Sequence, residues 1–266
     1  MKKWIIGNWK LQGSRSFLRE YLEEFLVALS VGGLRELDGD ALRVALCPPA
    51  CYLLEMKTAL AAHQSPVAAH IAVGAQNVSA ASDGAFTGEV AATMARDCGA
   101  ALSLIGHSER RQLFHETDEQ AAEKVQTTLA AGLIPVLCVG ETLVQREADQ
   151  TLTVIDQQLQ TALGGLSASD WSRIVVAYEP VWAIGTGCTA TPQQAQTVHA
   201  FIRETLDAIQ RNQSAKTLVP VSILYGGSVK DSNAAELLAQ ADVDGVLVGG
   251  ASLNANEFAR IALAAC

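Results

Sequence analysis

Ile174 to Gly187 reads IVVAYEPVWAIGTG. Ile174, Val175 and Val176 are consecutive β-branched residues, without the alternation of a strand that has one wet face. Such a run fits a strand buried on both sides, as parallel strands are. It leads to a single carboxylate, Glu179, at the point where a strand leaves the core and can meet a ligand. Pro180 sets the exit direction. Gly185 and Gly187 admit the backbone angles that a moving cover must visit. A base on a rigid strand end beneath a hinged cover suits proton abstraction, which needs a fixed base and the exclusion of water. A lone strand-terminal Glu more often caps the next helix, so the other strand ends decide between the two.

Outward from this stretch, short apolar runs alternate with longer amphipathic segments. The strands are predicted at Trp4–Trp9, Arg43–Cys47, Ile71–Gln76, Ala101–Gly106, Ile134–Val139, Arg173–Glu179, Val221–Gly226 and Gly245–Gly249. Helical spacing fills the gaps, most clearly over Pro192–Arg211, where Ala195, Val198, Ile202, Leu206 and Ile209 recur at three and four. Thr191, Pro192 and Gln194 supply its cap, first position and capping box. Phe17, Leu18, Tyr21, Leu22, Phe25, Leu26 and Leu29 form a similar stripe, and Thr117 and Asn254 open two more helices. Eight βα units with no Pro- or Ser-rich linker predict an α/β fold, one (βα)₈ barrel over residues 1–266. A doubly wound open sheet is the alternative, but Gly7-Asn8-Trp9-Lys10 after the first strand does not match its Gly-rich turn.

Composition narrows the function. The 266 residues are 49% hydrophobic and carry a net charge of −9 without a basic cluster, which speaks against nucleic acid as a partner. An anionic substrate would have to be attracted locally. The opening MKKWIIGNWK is too short in apolar residues for a signal peptide, and no run is long enough to span a membrane. The six Cys form no CxxC; Cys47, Cys98 and Cys138 read as small core residues. Reduced thiols and a cytoplasmic location follow as expectations. The five His lie at no ligand spacing with Cys, Asp or Glu, so no metal is expected.

In a barrel the residues after the strands converge on one face. Here they are Asn8 and Lys10, Gln76 and Asn77, His107 with Ser108 and Glu109, then Glu141, Glu179, Ser228, Gly249 and Gly250. So many polar groups at the ends of apolar strands are costly unless they serve a ligand or one another. Glu179 can take a proton from a carbon beside a carbonyl, and Lys10 suits a phosphate or a developing enolate oxygen. Ser108-Glu109-Arg110-Arg111 looks like a first helical turn, and a helix N-terminus disfavours a cationic imidazole. His107 is therefore expected neutral, donating to a carbonyl oxygen. The Gly-Gly pairs at 226–227 and 249–250 expose N–H groups where barrels hold phosphate, although a single such pair is usually only a turn.

At this point the chain resembles the triosephosphate isomerase family. The matching stretches are GNWK at 7–10, GAQNV at 74–78, GAFTGE at 84–89, IGHSERR at 105–111, AYEPVWAIGTG at 177–187, YGGSV at 225–229 and GVLVGG at 245–250. The resemblance implies interconversion of dihydroxyacetone phosphate and D-glyceraldehyde 3-phosphate without a cofactor, in glycolysis and gluconeogenesis. The roles of base, neutral His and lid come with that family, for which they are a standard worked example. By this resemblance Glu179 is the base, His107 the electrophile, and Asn8 and Lys10 bind substrate and stabilise an enediolate. Gly185, Ser228, Gly249 and Gly250 supply phosphate-binding N–H groups. Ile184 and Leu247 are similar to the family's apolar clamp, Glu141 to the anchor of Trp182 at the lid's first hinge, and Glu109 to a Glu near Lys10.

Two positions depart from the family pattern. Cys188 stands where the lid's second hinge usually has Lys, and Gln12 replaces an Asn in the first loop. The polar, Gly-punctuated stretch 76–89 reads alone as a solvated loop. The resemblance instead implies a homodimer, each copy inserting this loop beside its partner's site. Two other readings are a phosphate-binding aldolase and a barrel that only binds sugar phosphates. A Schiff-base aldolase needs a Lys where strand six has Glu179, a metal aldolase needs clustered His, and a mere binder has no use for Glu179, His107 and Lys10 together.

Overall fold

The computed structural model describes residues 3–34, 42–184, 190–213 and 217–266. Eight strands form a closed parallel barrel in chain order: β1 (Lys3–Asn8), β2 (Leu42–Cys47), β3 (Ile71–Ala75), β4 (Leu102–Ile105), β5 (Ile134–Val139), β6 (Val175–Tyr178), β7 (Ser222–Tyr225) and β8 (Gly245–Val248). β8 closes onto β1 in the register Trp4↔Gly245 through Gly7↔Val248.

The absence of alternation along the strands follows from two apolar layers. One face of each strand fills the barrel, where Trp4, Ile6, Ala45, Cys47, Leu102, Leu104, Val136, Cys138, Val175, Ala177, Leu224 and Leu247 pack together. The opposite faces, among them Ile5, Leu46, Leu137, Val176 and Ile223, join the larger cluster beneath the helices. Both sets lie out of water, so both faces are hydrophobic. Parity along β6 then places Val175, Ala177 and Glu179 on the inward side and Val176 and Tyr178 on the outward side.

Ten α-helices lie among the described residues, and those built on a periodic stripe pack its buried face on the barrel. α1 (Arg15–Val31) starts where the Ser14 hydroxyl accepts the Phe17 N–H. Its Phe25 ring stacks on Phe258 of the last helix at 5.4 Å, both rings fully buried. Each such side chain is worth about 1.5–3 kcal/mol of burial. The helix predicted over 192–211 spans Pro192–Asn212, with Thr191 and Gln194 exchanging the bonds of a capping box. Thr117 makes the same box with Gln120, and the Asn254 side chain accepts from the Glu257 N–H.

Seven predicted strands differ from those found by at most one residue at either end, but the sixth shortens from Arg173–Glu179 to Val175–Tyr178. Arg173 closes a 3₁₀ turn, with its guanidinium on Asp170 at 2.7 Å. Glu179 still continues the ladder, donating its N–H to the Val139 carbonyl at 2.7 Å. Cys47 and Cys138 are buried as expected, whereas Cys98 is only half-buried because it caps a helix at the surface. Among the described residues, no helix is long and apolar enough to cross a membrane.

Candidate active site

Gly140, just past β5, lies so close to β6 that a Cβ there would overlap the Glu179 carbonyl oxygen. Gly226, just past β7, would place a Cβ 2.9 Å from Glu179 Cγ. The two glycines let neighbouring strand ends close around Glu179, whose side chain is 2% exposed. Both oxygens of this inward-facing carboxylate are engaged. Oε2 accepts the Ser108 backbone N–H at 2.8 Å, and Oε1 lies 2.9 Å from His107 Nε2.

His107 follows β4 and is the N-cap of the helix Ser108–Phe114, its Nδ1 accepting the Glu109 N–H at 3.3 Å. An Nδ1 that accepts carries no proton, so the neutral ring's proton is on Nε2, aimed at Glu179. Burial is the largest influence on each partner and disfavours its charge, yet each partner's field prevails. Burial pushes Glu179 up, but His107 and the Ser108 N–H hold it below the usual carboxylate range. Burial pushes His107 down, but Glu179 raises it above its ordinary value against the opposing charge of Lys10. The helix N-terminus favours a neutral imidazole; the carboxylate 2.9 Å away outweighs it while the two remain paired.

Lys10 adopts φ +52°, an uncommon conformation for a side chain with a Cβ. Local bonds hold it there. Asn8 Oδ1 accepts the Lys10 N–H at 3.0 Å, and Gln76 Nε2 donates to the carbonyls of Lys10 and Cys47, each at 2.9 Å. The Lys10 ammonium meets Glu109 Oε1 at 2.6 Å.

Asn8, Lys10, His107 and Glu179 share one cavity of about 370 Å³ with Ile184, Ser228, Leu247, Gly249 and Gly250. Of the expected site residues, Asn8, Lys10, His107 and Glu179 thus converge with the loops after β6, β7 and β8. Gly185 and Cys188 lie outside the described residues. Gln12 is exposed. Glu141 is buried behind the cavity rather than in its wall, and it accepts from Tyr178 Oη at 3.2 Å, Trp182 Nε1 at 2.9 Å and Arg146 at 3.1 Å. The Arg146 guanidinium also covers the Trp182 ring at 4.3 Å.

Reading the strand ends alone missed several contributors. Gln76 was visible as a strand-end residue, but not its bond to the Lys10 carbonyl. Tyr178 points away from the site and acts through Glu141. Lys230 and Glu257 line the cavity from a loop and a helix, beyond the positions that strand ends pick out. A second cavity of about 510 Å³ adjoins the first and shares Asn8, Lys10 and His107; Leu11, Gln76, Glu109, Leu113 and Phe114 also line it.

A model of the family described as triosephosphate isomerase matches residues 3–265. The chain belongs to that family. It is 49% identical over 260 residues to the triosephosphate isomerase of Marinobacter nauticus, covering 97% of this chain and 95% of that one. It is 48% identical over 264 residues to the enzyme of Xanthomonas campestris pv. campestris, covering 99% and 98%. With the Rhodopirellula baltica enzyme it shares 48% over 261 residues, covering 98% and 96%. Family membership excludes neither of the chain's departures, at Gln12 and Cys188.

Proposed function

We propose that Glu179, His107 and Lys10 are the catalytic groups with which this isomerase interconverts dihydroxyacetone phosphate and D-glyceraldehyde 3-phosphate. The reaction follows from the family. The observation that carries the residue roles is the buried Glu179 carboxylate, 2.9 Å from His107 in one cavity with Lys10 and the phosphate-type turns.

The substrate phosphate sits against Ser228, Gly249 and Gly250, with Gly185 added from the family pattern. The substrate carbonyl points toward His107 Nε2, Asn8 and Lys10. A carboxylate with both oxygens engaged is a poor base, so Glu179 must leave the Ser108 N–H and His107 to reach the substrate carbon. The move itself strengthens the base. It removes the two partners that hold Glu179 low and leaves burial, which pushes it up. Ile184 and Leu247 line the cavity with apolar surface and favour the same outcome.

Glu179 takes the proton from C1 of the ketose, the carbonyl electrons pass to oxygen, and an enediolate forms. His107 exchanges a proton between the two oxygens, and Glu179 returns its proton to C2, so no atom or electron is gained overall. Lys10 offsets the developing negative charge. Phosphate contacts remote from the reacting carbons supply binding energy for the closed arrangement, which keeps the intermediate from expelling phosphate into water.

In this reading residues 1–266 form one catalytic unit, located in the cytoplasm and acting as a homodimer through the 76–89 loop. The six Cys without a CxxC pair, read as reduced thiols, support the location. The test is turnover of glyceraldehyde 3-phosphate by the wild type and by Glu179→Gln, in a coupled assay for dihydroxyacetone phosphate. The wild type should turn over and the variant should lose about 10³-fold or more in kcat. A variant within tenfold of wild type would remove Glu179 from the role of base.

A further inference from the structure

His199 lies on the helix Pro192–Asn212, on a buried face whose neighbours Ala195, Val198 and Ile202 are aliphatic. It is fully buried. Its Nδ1 is 3.0 Å from the Asp242 carbonyl oxygen, which can only accept, so Nδ1 carries the proton and Nε2 an acceptor lone pair. Nε2 has no partner. Burial, the largest influence, holds the ring down at about 4, so it is neutral near pH 7. A Leu would fill this place without stranding an acceptor, so the imidazole calls for an account.

Its neighbours supply one. The ring meets Tyr178 edge-on, with centroids 5.9 Å apart at 83°, and Tyr225 at 6.3 Å and 36°. Those tyrosines are the last residues of β6 and β7 and are paired in register. Glu179 follows the first, and Gly226-Gly227-Ser228 follow the second. The Gly226 N–H donates to the Tyr178 carbonyl at 2.7 Å, and a Cβ on Gly227 would collide with the Tyr225 hydroxyl. Movement of either ring is therefore transmitted to the base or to the phosphate turn. On its other side the imidazole is pinned through Asp242, which Arg203 and Gln196 hold in turn.

We propose that His199 is a positioning residue of the reaction, a strut that registers the strand end carrying Glu179 against the turn carrying Ser228. The inference rests on the isomerase reading. Glu141 holds Tyr178 at its hydroxyl, and the imidazole backs the body of that ring and of Tyr225. A ring fixed by one directional bond to Asp242 sets the angle of both.

The experiment compares wild type, His199→Leu and His199→Gln, the last keeping an N–H donor for the Asp242 carbonyl. Folding is followed by circular dichroism, kcat by the coupled assay, and inorganic phosphate is used as a competitive inhibitor. His199→Leu should lose about tenfold in kcat while the inhibition constant for phosphate stays within about twofold, because Asn233 Nδ2 still donates to the Ser228 carbonyl at 3.1 Å and holds the phosphate turn while the base shifts. His199→Gln should recover to within about threefold of wild type. A folded His199→Leu with wild-type kcat overturns the proposal, as does a kcat loss that only mirrors a smaller folded fraction. If His199→Leu does not fold, His199→Phe replaces it, and a crystal structure of that variant reads the separation of Glu179 from Ser228. An unchanged separation overturns the strut. A wild type without turnover overturns the isomerase reading instead, and the strut is then judged on that separation alone.

Discussion

At the scale of single residues, Glu179 and His107 set each other's charge. While paired, the carboxylate is held low and the imidazole raised, and burial opposes both shifts. The sign of the linkage follows. The Glu179 contribution to stability is present above the ordinary carboxylate value and is lost as pH falls through its lower folded value. The His107 contribution is complete below its ordinary 6.5 and is lost as pH rises through its higher folded value. Removing the charge of Glu179 should leave burial and Lys10, which lower His107, against the Glu109 carboxylate alone, which raises it. We expect the His107 ring resonances in an NMR titration to show a midpoint above 6.5 in wild type and below it in Glu179→Gln. Equal midpoints would mean that the carboxylate does not govern the imidazole. The same reasoning returns His107 to neutrality when Glu179 leaves it for substrate, the state that an uncharged hydrogen-bond donor requires.

At the scale of elements, strand parity links fold to chemistry. The phase that puts Val175 and Ala177 inside the barrel also puts Glu179 there, and the opposite phase hands Tyr178 to Glu141 and His199. The approach of β5 to β6 depends on Gly140 lacking a Cβ. Gly140→Ala must push the two strand ends apart. It should lower kcat by about 10²-fold, since small displacements of a reacting group are costly, and should also lower Tm. Wild-type kcat in that variant would show that the strand end tolerates the shift. The eight strands were legible because buried β-branched runs stand out from amphipathic helices. Their ends were less so, and Arg173 is the clear case. Its place in a 3₁₀ turn depends on Asp170 and on the Leu129 carbonyl, the second a partner 44 residues away that local pattern cannot reveal.

At the scale of the whole molecule, the 76–89 loop and the second cavity belong to one proposal. Phe86 is 56% exposed near the tip of the loop. Leu11, Leu113 and Phe114, at 94%, 69% and 64% exposed, line the neighbouring cavity beside Lys10 and His107. Apolar side chains exposed in this way fit a surface that a second copy covers. Sedimentation of the 28.1 kDa chain should give twice that mass. Phe86→Asp should shift the mass toward the single chain and lower turnover. A wild-type monomer with full turnover would exclude the dimer as a requirement.

Taken by itself, the amino-acid sequence determined the (βα)₈ architecture, the family, and the residues that meet at the strand ends. The architecture and the strand-end set rest on periodicity and residue types, the family on the resemblance of short motifs such as IGHSERR and AYEPVWAIGTG, and all of these are local along the chain. Tertiary structure alone decided the engagement of Glu179 by Ser108 and His107, the burial of Glu141 behind Tyr178 and Trp182, and the wedging of His199 between two tyrosines. Closure of the barrel brings together groups far apart in the chain, 71 residues for Ser108 and Glu179. The field that each group feels, and so its charge and reactivity, exists only once water has been removed from between them.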